Sequence, residues 1–178
     1  MDERSAWPRY ELLDGELLVT PSPTWAHQMI VAAMHRIVAP YCIEQSIGVA
    51  LMSPADIELA VESILQPDVF VVPEELIPTE PVQGWEHVRS LLLAVEVLSP
   101  STQRADRVGK REFYLDHGVP DYWIIDADAR VIERWTSDST RPDIRRDVLE
   151  WQPATARSSL RIDVQQFFVR DCRLPRRL

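Results

Sequence analysis

The sequence predicts an α/β (α+β) fold, a mixed central sheet flanked by helices, with N-terminal and C-terminal hairpins. Three observations predict it. Pro67–Val72 and Leu91–Val97 are short runs with the Val, Leu and Phe content of buried strands. Trp25 to about Tyr41 spaces its apolar residues as a helix does, through Met29, Ala32, Ala33 and Ile37. Asp14-Gly15 joins two apolar segments, the usual chemistry of a two-residue hairpin turn.

Each element follows in order. Tyr10–Leu13 and Glu16–Thr20 form the first hairpin. Pro21-Ser22-Pro23-Thr24 stops the second strand and offers a helix cap, and the helix that follows is expected to end near Pro40. Ile47–Met52, Ala55–Val61 and Pro67–Val72 are strands, and Pro73–Gln83, rich in Pro and Glu, is a surface loop. Leu91–Val97 is the central strand, ended by Ser99-Pro100-Ser101. Arg104 to about His117 is a second helix stopped by Gly118. Asp121–Asp126 and Val131–Trp135 form a hairpin, Ile144–Trp151 a late strand, and Val164–Val169 a short terminal element.

The composition, 46% apolar and 26% charged, is that of an ordinary globule, and 178 residues suit a single domain spanning 1–178 with a tail at 170–178. The longest apolar runs, Leu91–Val95 and Val69–Val72, are far too short to span a membrane. The polar, acidic N-terminus is not a signal peptide, so a cytoplasmic protein is expected. Cys42 and Cys172 have no CxxC spacing and read as inert thiols. A net charge of −9 excludes a broad surface coating nucleic acid, though not a local basic groove. Arg104, Arg107 and Arg111 cluster around one helix, and Arg170, Arg173, Arg176 and Arg177 close the chain as solvated tail charges.

Chemistry centres on three residues. Glu96 interrupts an apolar strand, and Asp68 stands at the entry of another. A lone carboxylate there is costly to bury unless paired, protonated or metal-bound, although a rim position is the cheaper explanation for either one. Together they can converge at one sheet edge as oxygen ligands suited to Mg²⁺. Lys110 is the only lysine, against 18 arginines. An ammonium is a compact point charge that a guanidinium fork does not imitate, while an arginine-biased composition is the plain alternative. Asp106, Lys110 and Tyr114 share one helix face, where Asp106 is either a simple ion-pair partner or a supporting residue. Glu16 and His27 are further supporting candidates, their plain roles being an exposed strand carboxylate and a helix-start packing residue. No nucleophile elbow and no Gly-rich phosphate loop is present.

The segments YELLDGELLVTPSPTWAHQ, QPDVFVV, LLLAVEVLSPST, DRVGKREFY and GVPDYWIIDAD, in that order from about Tyr10 to Trp135, resemble the Uma-two family of restriction endonucleases in the PD-(D/E)XK nuclease superfamily. The resemblance implies a restriction-endonuclease-like sheet with a metal site at its rim. By position Asp68 matches the motif's first aspartate and Glu96 its second acid. The motif's lysine position holds Leu98 here, and Lys110 on the next helix is the lysine left for that role. The expectation is a DNA endonuclease using Mg²⁺ (or Mn²⁺) held by Asp68 and Glu96, with Lys110 catalytic and products ending in 5′-phosphates. Arg104, Arg107 and Arg111 would contact DNA or stay solvated, and a homodimer would suit the fold. The rival from another class is a degenerate nuclease fold acting as a binding or assembly module, which the acidic balance favours. A hydrolase of nucleotides or small phosphates is a third reading.

Overall fold

The structure is a computed structural model and describes residues 8–173. Its first hairpin forms as the turn dipeptide requires. β1 (Arg9–Leu13) pairs antiparallel with β2 (Glu16–Thr20), and Asp14 and Gly15 take φ of 49° and 78°, the left-handed conformation Asp-Gly supplies to such turns.

α1 (Trp25–Gln45) starts at Thr24, whose side chain accepts the His27 N–H. It passes straight through Pro40, where the sequence predicts its end. A proline inside a helix costs about 3 kcal/mol through its missing N–H and ring clash. Packing of the next turn offsets that cost. Tyr41 and Cys42 are buried, the Tyr41 hydroxyl donates to the Ser158 carbonyl at 2.6 Å, and the Gln45 amide oxygen accepts the N–H groups of Arg157 and Ser158.

β3 (Gly48–Met52) is followed by β4 (Ile57–Ala60) and by a short strand the sequence does not announce, β5 (Ser63–Leu65). β1, β2, β4 and β5 make a four-stranded sheet in the order β2-β1-β5-β4. The main sheet has six strands: β3, then β6 (Val69–Pro73), β7 (Leu93–Val97), β8 (Tyr122–Asp126), β9 (Val131–Trp135) and β10 (Asp143–Arg145), in the order β10-β9-β8-β7-β6-β3. β7 is central, as expected. Only β7 and β8 run parallel among these pairs, and a parallel pair needs a crossover. A π-helical segment, Ala105–Lys110, and α2 (Arg111–Asp116) supply it, where the sequence predicts one ordinary helix.

The late strand expected over Ile144–Trp151 is two strands. β10 edges the main sheet, while β11 (Val148–Trp151) leaves it to pair with β12 (Leu160–Asp163). The reason is burial: Leu149 and Trp151 are drawn into the core, whereas Ile144 and Arg145 stay exposed. α3 (Val164–Gln166) and a π-helical turn, Phe167–Asp171, close the described chain. Phe167, Phe168 and Cys172 are buried there, so the expected tail is packed as far as Cys172; residues 174–178, with Arg176 and Arg177, lie outside the described residues. Cys42 and Cys172 are free, and burial pushes each thiol up to about 12. Among the described residues no helix is long and apolar enough to cross a membrane.

Strand alternation divides the core. Val69, Val71, Leu93, Val95 and Trp123 face α1 and the β11-β12 hairpin. Phe70, Val72, Ala94, Tyr122 and Ile124 face the opposite side with Phe113 and Tyr114 of α2. Glu96 is two residues beyond Ala94, so it emerges on the α2 side.

Candidate active site

The antiparallel register of β6 and β7 sets Val69 against Val95. One step further along the same ladder, Asp68 and Glu96 stand beside each other at the sheet's rim. Both are buried, each 3% exposed. The Asp68 carboxylate accepts the Val97 N–H at 2.8 Å on Oδ2 and the Arg9 guanidinium at 2.8 Å on Oδ1, and the His27 Nε2 lies 3.2 Å from Oδ2. Burial alone would raise the Asp68 carboxyl. The His27 hydrogen bond and charge, the Arg9 charge and the Val97 N–H together outweigh burial and hold it well below the usual carboxylate range.

Lys110 closes the other half of the site. Its ammonium is 2.9 Å from Glu11, 3.0 Å from Glu96 Oε1 and 3.6 Å from Asp106 Oδ1. Burial would lower this ammonium, but Glu96, Glu11 and Asp106 raise it well above the ordinary lysine value, so it is charged at neutral pH. Glu96 goes the other way. Burial drives its carboxyl far up, Lys110 opposes this, and Asp68, Asp106 and Glu11 add to it. Asp106 is likewise raised by burial, against Lys110 and a hydrogen bond from Thr102.

The π-helical winding explains how Lys110 arrives there. An α-helix widened by one residue re-aims its side chains, a device often seen at functional sites. Here it buries Asp106 and Lys110 together. Gly109 lets the segment approach β1, since a Cβ there would lie 2.7 Å from Leu13 Cδ2. That approach brings Lys110 to Glu11, two residues along the same strand.

Reading the strands for lone charges finds Asp68 and Glu96 but passes over Glu11 and Arg9. The signal was present in the first hairpin: Glu11 is a lone carboxylate in RYELL, and Arg9 shares its face. Glu11 is 3% exposed, and its Oε1 also accepts the Gln66 N–H at 2.8 Å. Glu16, by contrast, is exposed at the start of β2 and does not line the cavity. The arginines expected on the helix are there, but none of them lines the cavity. Arg107 is held by Glu133 at 2.6 Å and Asp126 at 2.9 Å; Arg111 pairs with Glu112 and lies 4.7 Å above the Trp135 ring; Arg104 is exposed.

Above these groups opens a cavity of about 550 Å³. Its floor is Arg9, Glu11, Asp68, Glu96, Asp106 and Lys110, and its rim is formed by the segment before α1, the Leu98–Gln103 loop and the end of β8. Among the described residues no three His, Cys, Asp or Glu side chains are grouped tightly enough to hold a metal ion as they stand. The donor chemistry fits a hard divalent cation even so. Four carboxylates face two permanent cations, Arg9 and Lys110, with His27 as a third partner. Asp106 Oδ1 is buried with no hydrogen-bond donor. A surplus of buried negative charge is what such a cation would relieve.

Comparison with known proteins places this geometry. A family model, Uma2, described as "Putative restriction endonuclease", matches residues 1–165. The chain belongs to the Uma2 family. The match takes in β1, the two carboxylate strands and the lysine-bearing crossover. A crystal structure described as a putative nuclease belonging to DUF820, from Anabaena variabilis, superposes with a TM-score of 0.72 at 21% identity, covering 90% of each chain. At that identity the likeness shows the fold alone, the restriction-endonuclease-like architecture that the sequence motifs predict. No curated protein matches the chain.

Proposed function

We propose that this Uma2 protein is a metal-dependent endodeoxyribonuclease that hydrolyses phosphodiester bonds. The observation that carries the reading is convergence. Carboxylates from β1, β7 and the crossover meet one buried ammonium, and Asp68 at the entry of β6, held by Arg9 and His27, joins them on the floor of a single open cavity. Asp68 and Glu96 would hold Mg²⁺ or Mn²⁺, with Glu11 and Asp106 close by as further oxygen donors. A cation of this kind supplies charge neutralisation at the scissile phosphate and acidifies a water. Lys110 acts as a donor and fixed positive charge, since its ammonium already carries its proton and so does not abstract one. Arg9, whose Nε is buried without an acceptor, adds a second positive group on the cavity floor. Cleavage would break the P–O3′ bond, releasing one fragment with a 3′-hydroxyl and leaving the 5′-phosphate on the other, as the family resemblance implies.

The test is cleavage of supercoiled plasmid and single-stranded DNA with Mg²⁺, with Mn²⁺ and with EDTA, beside calorimetric titration of Mn²⁺. Wild type is expected to cut only with metal, and Glu96→Gln to lose about 10²-fold or more in rate while remaining folded. A folded wild type that neither cuts nor takes up Mn²⁺ rejects the reading. One observation favours the binding-module alternative in that event: both oxygens of Asp68 are already engaged by Arg9, His27 and Val97.

A further inference from the structure

We infer that Trp25 is a stacking platform for an unpaired nucleobase of the strand whose phosphate enters the cavity, an inference that rests on the nuclease reading above. Trp25 is 82% exposed, while Trp123, Trp135 and Trp151 are buried. An indole left in water forgoes a large gain from burial, and this one, although it does not itself line the cavity, sits between two residues that do. Among the described residues its ring has no stacking partner.

Its place in the fold points to that occupant. Trp25 is the first residue of α1, Thr24 and Ala26 on either side of it line the cavity, and His27 two residues on touches Asp68. A base stacked there belongs to a nucleotide next to the one at the carboxylates. The mount is stiff: Pro21 and Pro23 restrict the approach, and the Thr24 cap fixes the first helical turn. A ring presented this way loses little freedom on binding.

Charge supplies the second argument. The chain carries a net −9, and Arg107 and Arg111 are committed to Asp126, Glu133 and Glu112. With those two arginines committed, stacking on an aromatic ring, which is sequence-tolerant, supplies affinity that does not depend on phosphate contacts. A duplex hides its base faces, so Trp25 favours single-stranded or locally opened DNA.

The experiment compares wild type, Trp25→Phe and Trp25→Ala, each checked by thermal melting and size-exclusion elution. With EDTA present to prevent cutting, a fluorescein-labelled oligothymidylate of about 12 nucleotides and a blunt duplex of the same length are titrated by anisotropy. Trp25→Ala is expected to bind the single strand about tenfold more weakly, and Trp25→Phe to keep affinity within about threefold of wild type. Duplex binding should change less. Equal single-strand affinity in wild type and Trp25→Ala overturns the assignment while plasmid cutting by wild type leaves the nuclease reading standing. A shift of Trp25→Ala to a smaller species with unchanged DNA affinity overturns it in favour of self-association. A wild type that neither binds nor cuts DNA removes both.

Discussion

Lys110→Met tests the core of the site directly. The substitution keeps the apolar stem and removes one ammonium, leaving Glu11, Glu96 and Asp106 without it. Exposure of these side chains is 3% for Lys110, 2% for Glu11, 3% for Glu96 and 2% for Asp106, so solvent screens them little. Removing one side of a buried ion pair costs about 3–5 kcal/mol, mostly because the remaining charge is stranded. In a chain of this size each kcal/mol moves the melting temperature by roughly 2–4 °C, so a fall of roughly 6–20 °C is expected at neutral pH. The pH dependence has a definite sign. The Glu96 carboxyl is already raised above its ordinary value of 4.5 by burial, and loss of Lys110 raises it further. A carboxyl with a raised folded pKa binds more protons folded than unfolded, so its contribution to stability falls as pH rises through that window. The deficit against wild type is therefore largest near neutrality and narrows toward about pH 5, where the stranded carboxyls take up protons. Circular-dichroism melts in EDTA across that range measure it. A variant within about 2 °C of wild type at neutral pH, or a deficit that grows on acidification, refutes the picture of a buried ammonium holding three carboxylates.

Asp68→Asn should show a deficit that persists further into acid than that of Lys110→Met. The Asp68 carboxyl is held below its ordinary value of 3.8, so its stabilisation is present above that value and is lost only as pH falls through the folded pKa. The drop in urea midpoint for the variant is expected at neutral pH and should shrink in acid; a constant drop would show that shape, not charge, is what Arg9 and His27 recognise. Gly48→Ala probes the edge of the main sheet. Gly48 has φ 146°, and an added Cβ would lie 2.0 Å from the Val72 carbonyl oxygen. A loss of about 3 kcal/mol or more is expected from overpacking and backbone strain, and a urea midpoint near that of wild type would mean that β3 and β6 can separate at little cost.

The site has a feature that neither its charges nor its fold class explains alone. Its carboxylates outnumber its permanent cations, yet all are buried. The protein tolerates this because the charges are split between two arrangements. Asp68 is stabilised as an anion by Arg9, His27 and a backbone N–H, while Glu96 and Asp106 share Lys110 and are raised. Neighbouring carboxyls pushed in opposite directions are a recurrent mark of functional sites.

Much of this was legible in the residues. Periodicity marked the first helix and the apolar strands, Asp14-Gly15 marked the hairpin, and lone charges in apolar strands marked Asp68 and Glu96. The scarcity of lysine singled out Lys110. These are near-neighbour effects: turn chemistry, alternation and burial cost act within a few residues, and the chain carries them wherever it folds. Other features depended on contacts between distant segments. Pro40 stays inside α1 because Tyr41 and Gln45 find partners near Ser158, more than a hundred residues away. Ile144–Trp151 divides between two sheets because Trp151 is worth more in the core than at an edge. The π-helical winding that carries Lys110 to Glu11 has no periodicity to distinguish it beforehand, and Glu11 could be recognised only once β1 had docked with that face inward. Sequence therefore determined which residues were chemically out of place, and the tertiary structure decided which of them met, because the energy that brings buried charges together is a property of the assembled core and not of any one segment.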